Sequence, residues 1–198
     1  MSITELAPAK LNLTLDVGAR RPDGYHEITS VMQSAALYDV VTLETVETDD
    51  IVVECPGTDL PTGPDNLAWK AADVFFQETN IPRTGIFIRL EKKIPSQAGL
   101  GGGSSDAASV LRGMRRLFGV NVSDEALETM AARVSSDVPY CVRGGTALAR
   151  GRGERLTALS PLPMCWFVIV KPPVAHSTAV MFRKLDEIAI ANLSLIHI

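Results

Sequence analysis

The stretch P-S-Q-A-G-L-G-G-G-S-S-D-A, from Pro95 to Ala107, is the most informative part of this chain. Alternating apolar residues over 86–90 predict a strand before it, and apolar residues three and four apart over 107–118 predict a helix after it. Glycine backbone can wrap closely around a ligand, and a helix start offers unpaired N–H groups and the positive end of a dipole. The sequence therefore predicts an anion site, of the kind most often used for phosphate. A flexible glycine linker is the weaker alternative, because apolar periodicity resumes immediately after the glycines.

Composition indicates a soluble globular protein. The chain has 198 residues, of which 46% are hydrophobic and 21% charged, and its formal net charge is −4. Nothing in this balance suggests attraction to nucleic acid or to acidic membranes. Three scattered cysteines and three isolated histidines argue against a disulfide framework and against a His/Cys metal site. We expect a cytoplasmic protein with a small-molecule substrate and without nucleic-acid or membrane partners; its oligomeric state stays open.

Runs of strands and helices predict an α+β fold rather than strict βαβ alternation. Strands are expected at 11–17, 28–36, 40–46, 51–55, 86–90, 146–150 and 155–159, with a buried strand at 166–170. Helices are expected after Asn66, after the glycine-rich loop, after Ser123 and in a last segment through Leu185. The sequence R-P-D-G at 21–24 predicts a tight turn.

Two familiar phosphate loops do not fit this glycine pattern. A Walker A loop requires a lysine after the glycines, and none is present. The dinucleotide fingerprint fits Gly99 and Gly101, but Ser104 stands where its third glycine belongs.

The loop instead resembles the central motif of the GHMP kinases. Five further segments match that family in order and approximate spacing: P-A-K-L-N-L at 8–13, R-P-D-G-Y-H-E at 21–27, P-D-N-L at 64–67, S-D-V-P at 136–139 and V-R-G-G-T-A at 142–147. The resemblance implies a two-domain fold and a kinase that uses ATP with Mg²⁺. The form G-L-G-G-G-S-S-D-A resembles one branch, which phosphorylates the 2-hydroxyl of 4-diphosphocytidyl-2-C-methyl-D-erythritol in the non-mevalonate isoprenoid pathway.

The resemblance also implies a domain division. Residues 1–159 are expected to form the N-terminal, ATP-binding domain, and residues 160–198 the beginning of the C-terminal domain. The last residues, A-N-L-S-L-I-H-I, match no element of the family and read as foreign to it. A second glycine motif that the family carries in its C-terminal domain has no counterpart, so weak turnover is expected of this chain.

Catalytic and nucleotide-binding roles follow from the same resemblance. Asp137 matches the base that accepts the proton of the acceptor hydroxyl, and Lys10 matches the lysine that offsets developing charge beside it. The residues expected to bind ATP are Pro95, Gly99, Leu100, Gly101, Gly102, Gly103, Ser104 and Ser105 in the loop, with Asn66 and Leu67 near adenine. Ser104, Ser105 and Asn66 are equally well explained as helix caps. The ligands of Mg²⁺ are not identified.

Substrate contacts are expected from five residues. Asn12 lies two positions after Lys10 on one strand face and would orient the acceptor. In the resembled branch the tyrosine at Tyr25 stacks on cytosine and the histidine at His26 hydrogen-bonds the edge of the base. Thr178 and Phe182 complete the expected substrate site, although Phe182 would equally suit a core position.

Three other functions remain open at this point. Another small-molecule GHMP kinase, acting on homoserine or mevalonate, would share the loop, although Tyr25 and His26 argue against it. A non-catalytic fragment that binds nucleotide is the second alternative. A structural or interaction protein is the third and the weakest.

Overall fold

A computed structural model describes residues 1–172 and 178–187. Its strands are β1 (Ser2–Arg20), β2 (His26–Val46), β3 (Ile51–Glu54), β4 (Gly85–Glu91), β5 (Thr146–Gly151) and β6 (Arg155–Ala158). Its helices are α1 (Leu67–Thr79), α2 (Gly102–Leu117), α3 (Asp124–Val134), α4 (Val138–Arg143) and α5 (Thr178–Glu187). The α+β prediction is confirmed.

One sheet organises the molecule around the long strand β2. β1 pairs antiparallel with β2 along one edge, from Ser2 opposite Glu44 to Arg20 opposite His26. The other edge of β2 is shared, because residues 40–46 pair with β4 and residues 28–33 pair with β5. β3 extends the sheet beyond β4, and β6 extends it beyond β5. The stretch of β2 between β4 and β5 therefore faces a gap in the sheet, and the glycine-rich loop begins beside it.

The hairpin between β1 and β2 is closed by the predicted turn. Gly24 N donates to Arg21 O at 3.0 Å, and Gly24 has a φ of 84°. The carboxylate of Asp23 accepts from the backbone N–H of Tyr25 at 3.1 Å, as an Asx turn does. This turn sets Tyr25 and His26 at the start of β2.

Helix α2 is the central element of the helical layer. Its buried stripe contains Ala107, Val110, Leu111, Met114 and Leu117, which are the positions that its periodicity predicts. It packs on β1 and β2 and is flanked by α1, α3 and α4. A Cβ at Gly113 would lie 2.2 Å from Leu43 Cδ1, so glycine is what lets this helix lie close to β2.

Most predicted elements are present, and three predictions need correction. The strands expected at 28–36 and 40–46 form one strand that bulges, since Pro8 pairs with Tyr38 but the next residue, Ala9, pairs with Ala35. Helix α4 was not expected; a proline in its first turn suits a helix start.

The described part of the chain contains no helix long and apolar enough to cross a membrane.

The buried strand expected at 166–170 is wrong. Residues 159–172 have no regular structure, and Trp166 and Val168 are 94% and 92% exposed. An apolar run becomes a buried strand only where another strand offers its edge and a second layer covers it. No strand among residues 1–172 and 178–187 pairs with this segment.

The packing of α2 on β2 predicts that Gly113→Ala destabilises the fold. The added methyl group overlaps Leu43, so overpacking outweighs the gain in helix propensity and the free energy of unfolding falls by about 1–2 kcal/mol. Urea unfolding followed by circular dichroism measures this. Gly63→Ala is the control, because a Cβ there meets no atom within 4 Å. A Gly113→Ala protein as stable as the wild type would contradict this packing.

Candidate active site

One cavity of about 1020 Å³ brings together most of the residues singled out from the sequence. The loop and the start of α2 form one side, and β1, the first residues of β2 and the segment before α4 form the other. The expected site residues that line it are Lys10, Asn12, Tyr25, His26, Asn66, Leu67, Pro95, Gly99, Leu100, Gly101, Gly102, Gly103, Ser104, Asp137 and Phe182.

The glycine-rich loop is fastened to β1 at Lys10. The backbone N–H of Lys10 donates to Leu100 O at 2.9 Å. Gly101, the residue before α2, has a φ of 66°, and a Cβ on it would lie 2.6 Å from Lys10 Cγ. Glycine is therefore required at position 101 twice, for its backbone conformation and for the approach of the Lys10 stem. The lysine side chain and the helix start are thus held against each other.

The start of α2 leaves its first N–H groups available. Its N-cap is Gly101, and no side chain caps the helix. The explanation of Ser104 and Ser105 as capping residues is therefore wrong. Ser104 lines the cavity, whereas Ser105 is fully buried and its hydroxyl has no hydrogen-bond partner in the part of the chain that the structure describes. Uncapped N–H groups and the helix dipole make this end of the cavity suitable for phosphate.

Lys10 is the centre of a polar chain that runs across β1 and β2. Its ammonium group lies 3.2 Å from Asp137 Oδ2 and donates to Asn12 Oδ1 at 2.7 Å. Asn12 Nδ2 then donates to Ser30 Oγ at 2.7 Å, and Ser30 Oγ donates to Thr14 O at 2.7 Å. Lys10 and Asn12 do share a strand face, as predicted. Because each amide and hydroxyl has its partner, the lysine is held in one orientation.

Asp137 is free to act within the cavity. It is the N-cap residue of α4, but its side chain makes no capping hydrogen bond. Capping of α4 therefore does not explain the placement of this side chain. Its side chain is 33% exposed, while that of Lys10 is 9% exposed, so the carboxylate is the more accessible member of the pair, and both residues line the cavity.

Asn66 and Leu67 lie at the entrance to α1. The Asn66 side chain accepts from Ala68 N at 2.9 Å and donates to Pro61 O at 2.7 Å. The helix-cap explanation of Asn66 is confirmed, and the residue also lines the cavity. Because the side-chain oxygen and nitrogen are both engaged, any ligand at this wall meets Leu67 and the backbone first.

An aromatic cluster closes the far end of the cavity. The rings of His26 and Phe182 stack with centroids 5.1 Å apart, and His26 Nε2 lies 2.9 Å from Asp186 Oδ1. Tyr25 is 49% exposed, and the guanidinium carbon of Arg152 lies 4.9 Å from its ring centroid. Phe182 also packs against the core, so the expected core position is confirmed, whereas a substrate role for it stays a prediction. Thr178 begins α5, and its side chain lies outside the described residues.

Sequence reasoning missed six charged residues that line this cavity: Arg20, Asp65, Lys92, Asp106, Arg152 and Asp186. Lys92 Nζ contacts the carboxylates of both Asp39 and Asp106. Burial raises the pKa of Asp106 to about 7, although Lys92 opposes that rise. Asp106 stands in the glycine motif itself, but its lysine partner lies 14 positions away, and no local pattern signals that pairing.

The raised pKa of Asp106 predicts a pH dependence of stability. Between pH 4 and pH 7 the native carboxyl holds a proton that the unfolded chain has released, so the free energy of unfolding falls as the pH rises through this range. Asp106→Asn has no titrating carboxyl at this position and removes this contribution. Between pH 4 and pH 7 the free energy of unfolding should therefore fall by about 1–4 kcal/mol less in Asp106→Asn than in the wild type. Urea titrations at pH 4, 5.5, 7 and 8 measure it, with Asp59→Asn, an exposed aspartate, as the control. Identical pH profiles for wild type and Asp106→Asn would contradict the prediction.

Comparison with known proteins identifies the family. Residues 66–145 match the family described as GHMP kinases N terminal domain. The 4-diphosphocytidyl-2-C-methyl-D-erythritol kinase of Enterococcus faecalis is 45% identical over 190 residues, which are 95% of this chain and 67% of the relative.

Solved structures agree with this relationship. A crystal structure of 4-(cytidine 5'-diphospho)-2C-methyl-D-erythritol kinase superposes with a TM-score of 0.71 at 37% identity, covering 91% of this chain and 63% of that one. The homoserine kinase of Cytophaga hutchinsonii has a TM-score of 0.65 at 23% identity over 82% of this chain and 52% of its own, and shares the fold alone. The chain thus spans about two thirds of the relatives it matches. It belongs to the 4-diphosphocytidyl-2-C-methyl-D-erythritol kinase family, a branch of the GHMP kinases.

Proposed function

We propose that this protein transfers the γ-phosphoryl group of ATP to the 2-hydroxyl of 4-diphosphocytidyl-2-C-methyl-D-erythritol. One observation carries the proposal: a single cavity joins the phosphate loop, the Lys10–Asp137 pair and the exposed Tyr25 ring. A phosphoryl donor, a proton acceptor and a nucleobase platform are the three parts that this reaction needs. The names of the relatives point to the same substrate.

The triphosphate is placed at the loop and the first turn of α2. Backbone N–H groups of residues 99–104 would bind phosphate oxygens, aided by the dipole of the 16-residue helix. The Ser104 hydroxyl lines the same wall. Leu67, beside the capped start of α1, would pack against adenine.

A bound Mg²⁺ ion would need few ligands from the residues of this cavity. Mg²⁺ keeps several waters and takes many of its ligands from substrate phosphates, so it does not require a protein cage. Within residues 1–172 and 178–187 no three His, Cys, Asp or Glu side chains cluster as such a cage. When bound, the ion would neutralise charge on the phosphates, and Ser104 is the side chain best placed to add a ligand.

Asp137 and Lys10 would carry the chemistry at the acceptor. As the acceptor oxygen bonds to the γ-phosphorus, the bond from that phosphorus to the bridging oxygen of ADP breaks. The hydroxyl proton passes to the Asp137 carboxylate, late in the transfer, because a carboxylate is a weak base toward an alcohol. Lys10, 3.2 Å from Asp137, offsets negative charge on the reacting oxygens, and Asn12 orients the acceptor.

The cytidine end of the substrate is placed at the aromatic cluster. Tyr25 offers an exposed ring face, and Asp186 Oδ1, 2.9 Å from His26 Nε2, orients the imidazole so that its other nitrogen, Nδ1, would serve the edge of the base. A base stacked on the Tyr25 ring, with its polar edge toward His26, would use both the ring face and the imidazole. Phe182 would complete the enclosure from α5.

The first test removes the proposed base. Asp137→Asn keeps the size of the side chain and removes its basicity, so turnover should fall about 10²- to 10⁴-fold while ATP binding stays within about twofold. ADP release measured with the purified protein and the cytidyl substrate gives the rate, and titration calorimetry gives the ATP affinity. Asp59→Asn is the control, being exposed and outside the cavity.

The outcomes of that test are distinct. Wild-type protein that binds ATP but transfers no phosphate would favour a nucleotide-binding role. Transfer that survives Asp137→Asn unchanged would exclude this residue as the base.

The second test concerns the nucleobase platform. Tyr25→Ala should raise KM for the cytidyl substrate about 5- to 150-fold, because stacking contributes about 1–3 kcal/mol per base, while KM for ATP stays unchanged. Tyr25→Phe keeps the ring and should behave nearly as wild type. Tyr38→Ala, a second partly exposed tyrosine on β2, is the matched control. Equal changes in both KM values would argue for general damage rather than lost stacking.

A further inference from the structure

A buried ion cluster lies beneath the two ends of the phosphate loop. Lys92 follows β4 directly and precedes the loop, Asp106 lies in the first turns of α2 after the loop, and Asp39 belongs to β2 below both. Lys92 Nζ contacts one carboxylate oxygen of Asp39 and one of Asp106. The side chains of Lys92, Asp39 and Asp106 are 9%, 0% and 3% exposed, respectively, so the cluster lies in the protein interior.

Asp39 holds the entry to the loop through the backbone as well. Its other oxygen accepts from the N–H groups of Lys93 and Ile94, the latter at 2.8 Å. The exit of the loop packs equally closely, because a Cβ on Gly102 would lie 3.1 Å from Ile94 Cγ2 and 3.4 Å from Asp39 Oδ2. Both ends therefore meet at one carboxylate on β2, in the gap between β4 and β5.

Stability alone is a poor explanation for this cluster. It places two carboxylates and one ammonium group in the interior, and burial raises the pKa of Asp106 far above its usual range. Apolar side chains of similar volume would stabilise such a site at least as well. One Asp106 oxygen, Oδ1, has no hydrogen-bond partner among the described residues, and Asp106 and Lys92 both line the nucleotide cavity. Such an arrangement suits the fixing of a geometry better than the gain of stability.

We propose that Lys92 is a positioning residue for the nucleotide: by bridging Asp39 and Asp106 it clamps the entry and the exit of the phosphate loop to β2. The clamp rests on the proposed function in one respect, namely that the loop is the site of the triphosphate. Without the bridge, the start of α2 can separate from the strand that leads into the loop, and the N–H groups lose their common orientation.

Hydrogen exchange in the full chain without ligand tests the clamp directly. Three amides report on it: Lys10, which donates to Leu100 O; Ile94, which donates to Asp39; and Ser105, which donates to Gly101 O. In Lys92→Met these amides should exchange about tenfold faster, because the loop opens locally. Amides of the β2–β5 pairing at 28–33 should not change. Lys93→Met, the same substitution one residue on at an exposed side chain, is the control and should leave all of them unchanged.

Nucleotide affinity at pH 8 separates the clamp from simple charge effects. Asp106→Asn weakens one arm of the clamp but also removes a negative charge near the phosphates. The clamp predicts ATP binding several-fold weaker, whereas charge alone predicts tighter binding. This variant is isosteric and retains the Lys92–Asp39 pair, so it also serves if Lys92→Met does not fold.

The results that would overturn the proposal are specific. They are unchanged exchange at Ile94 and Ser105 in folded Lys92→Met, an equal increase at 28–33, or tighter ATP binding by Asp106→Asn. Failure of the proposed function would look different. A wild type that neither binds ATP nor transfers phosphate would contradict the proposed function. The exchange experiment uses no nucleotide, so it would still decide whether the clamp exists.

Discussion

The active site depends on the contact between Gly101 and Lys10. A side chain at position 101 would overlap the lysine stem, so the glycine is what allows the helix start and the β1 strand to touch. The backbone bond from Lys10 N to Leu100 O fixes the same contact from the main chain. Because Lys10 also reaches Asp137, the glycine-rich loop and the Asp137 end of the cavity are tied to one residue. Their separation is therefore set by the fold rather than by a flexible loop.

The sequence predicted the elements in which a single segment decides its own structure. Helix α2 and its buried stripe, the 21–24 turn and the Asn66 cap each depend on neighbouring residues, and each was found. The shared strand face of Lys10 and Asn12 is of the same kind, since alternation along one strand decides it. The family resemblance then added Asp137 and Tyr25, which no local rule would select.

The features that the sequence did not predict depend on partners far apart in the chain. Asp39 and Lys92 are 53 residues apart, and only the gap between β4 and β5 brings them together. Arg152 reaches Tyr25 because β5 pairs with the start of β2. The exposed segment at 166–170 was predicted as a strand but is not one, and the reason again lies in a partner elsewhere in the chain. Its apolar pattern reads as a strand, but a pattern cannot supply the edge with which a strand pairs.

In the proposed function, the fold and the choice of substrate have separate origins. The homoserine kinase structure shares this fold at 23% identity, with a TM-score of 0.65. The proposed substrate contacts lie at the other end of the cavity, around the first residues of β2. There a turn of four residues presents Tyr25 and His26, and α5 supplies Phe182 and Asp186 against them. Such a short segment can change its side chains without disturbing the long β1–β2 pairing. In the proposed reaction the phosphate chemistry would require Lys10 and Asp137 to stay in place, whereas the choice of substrate would depend mainly on Tyr25 and His26.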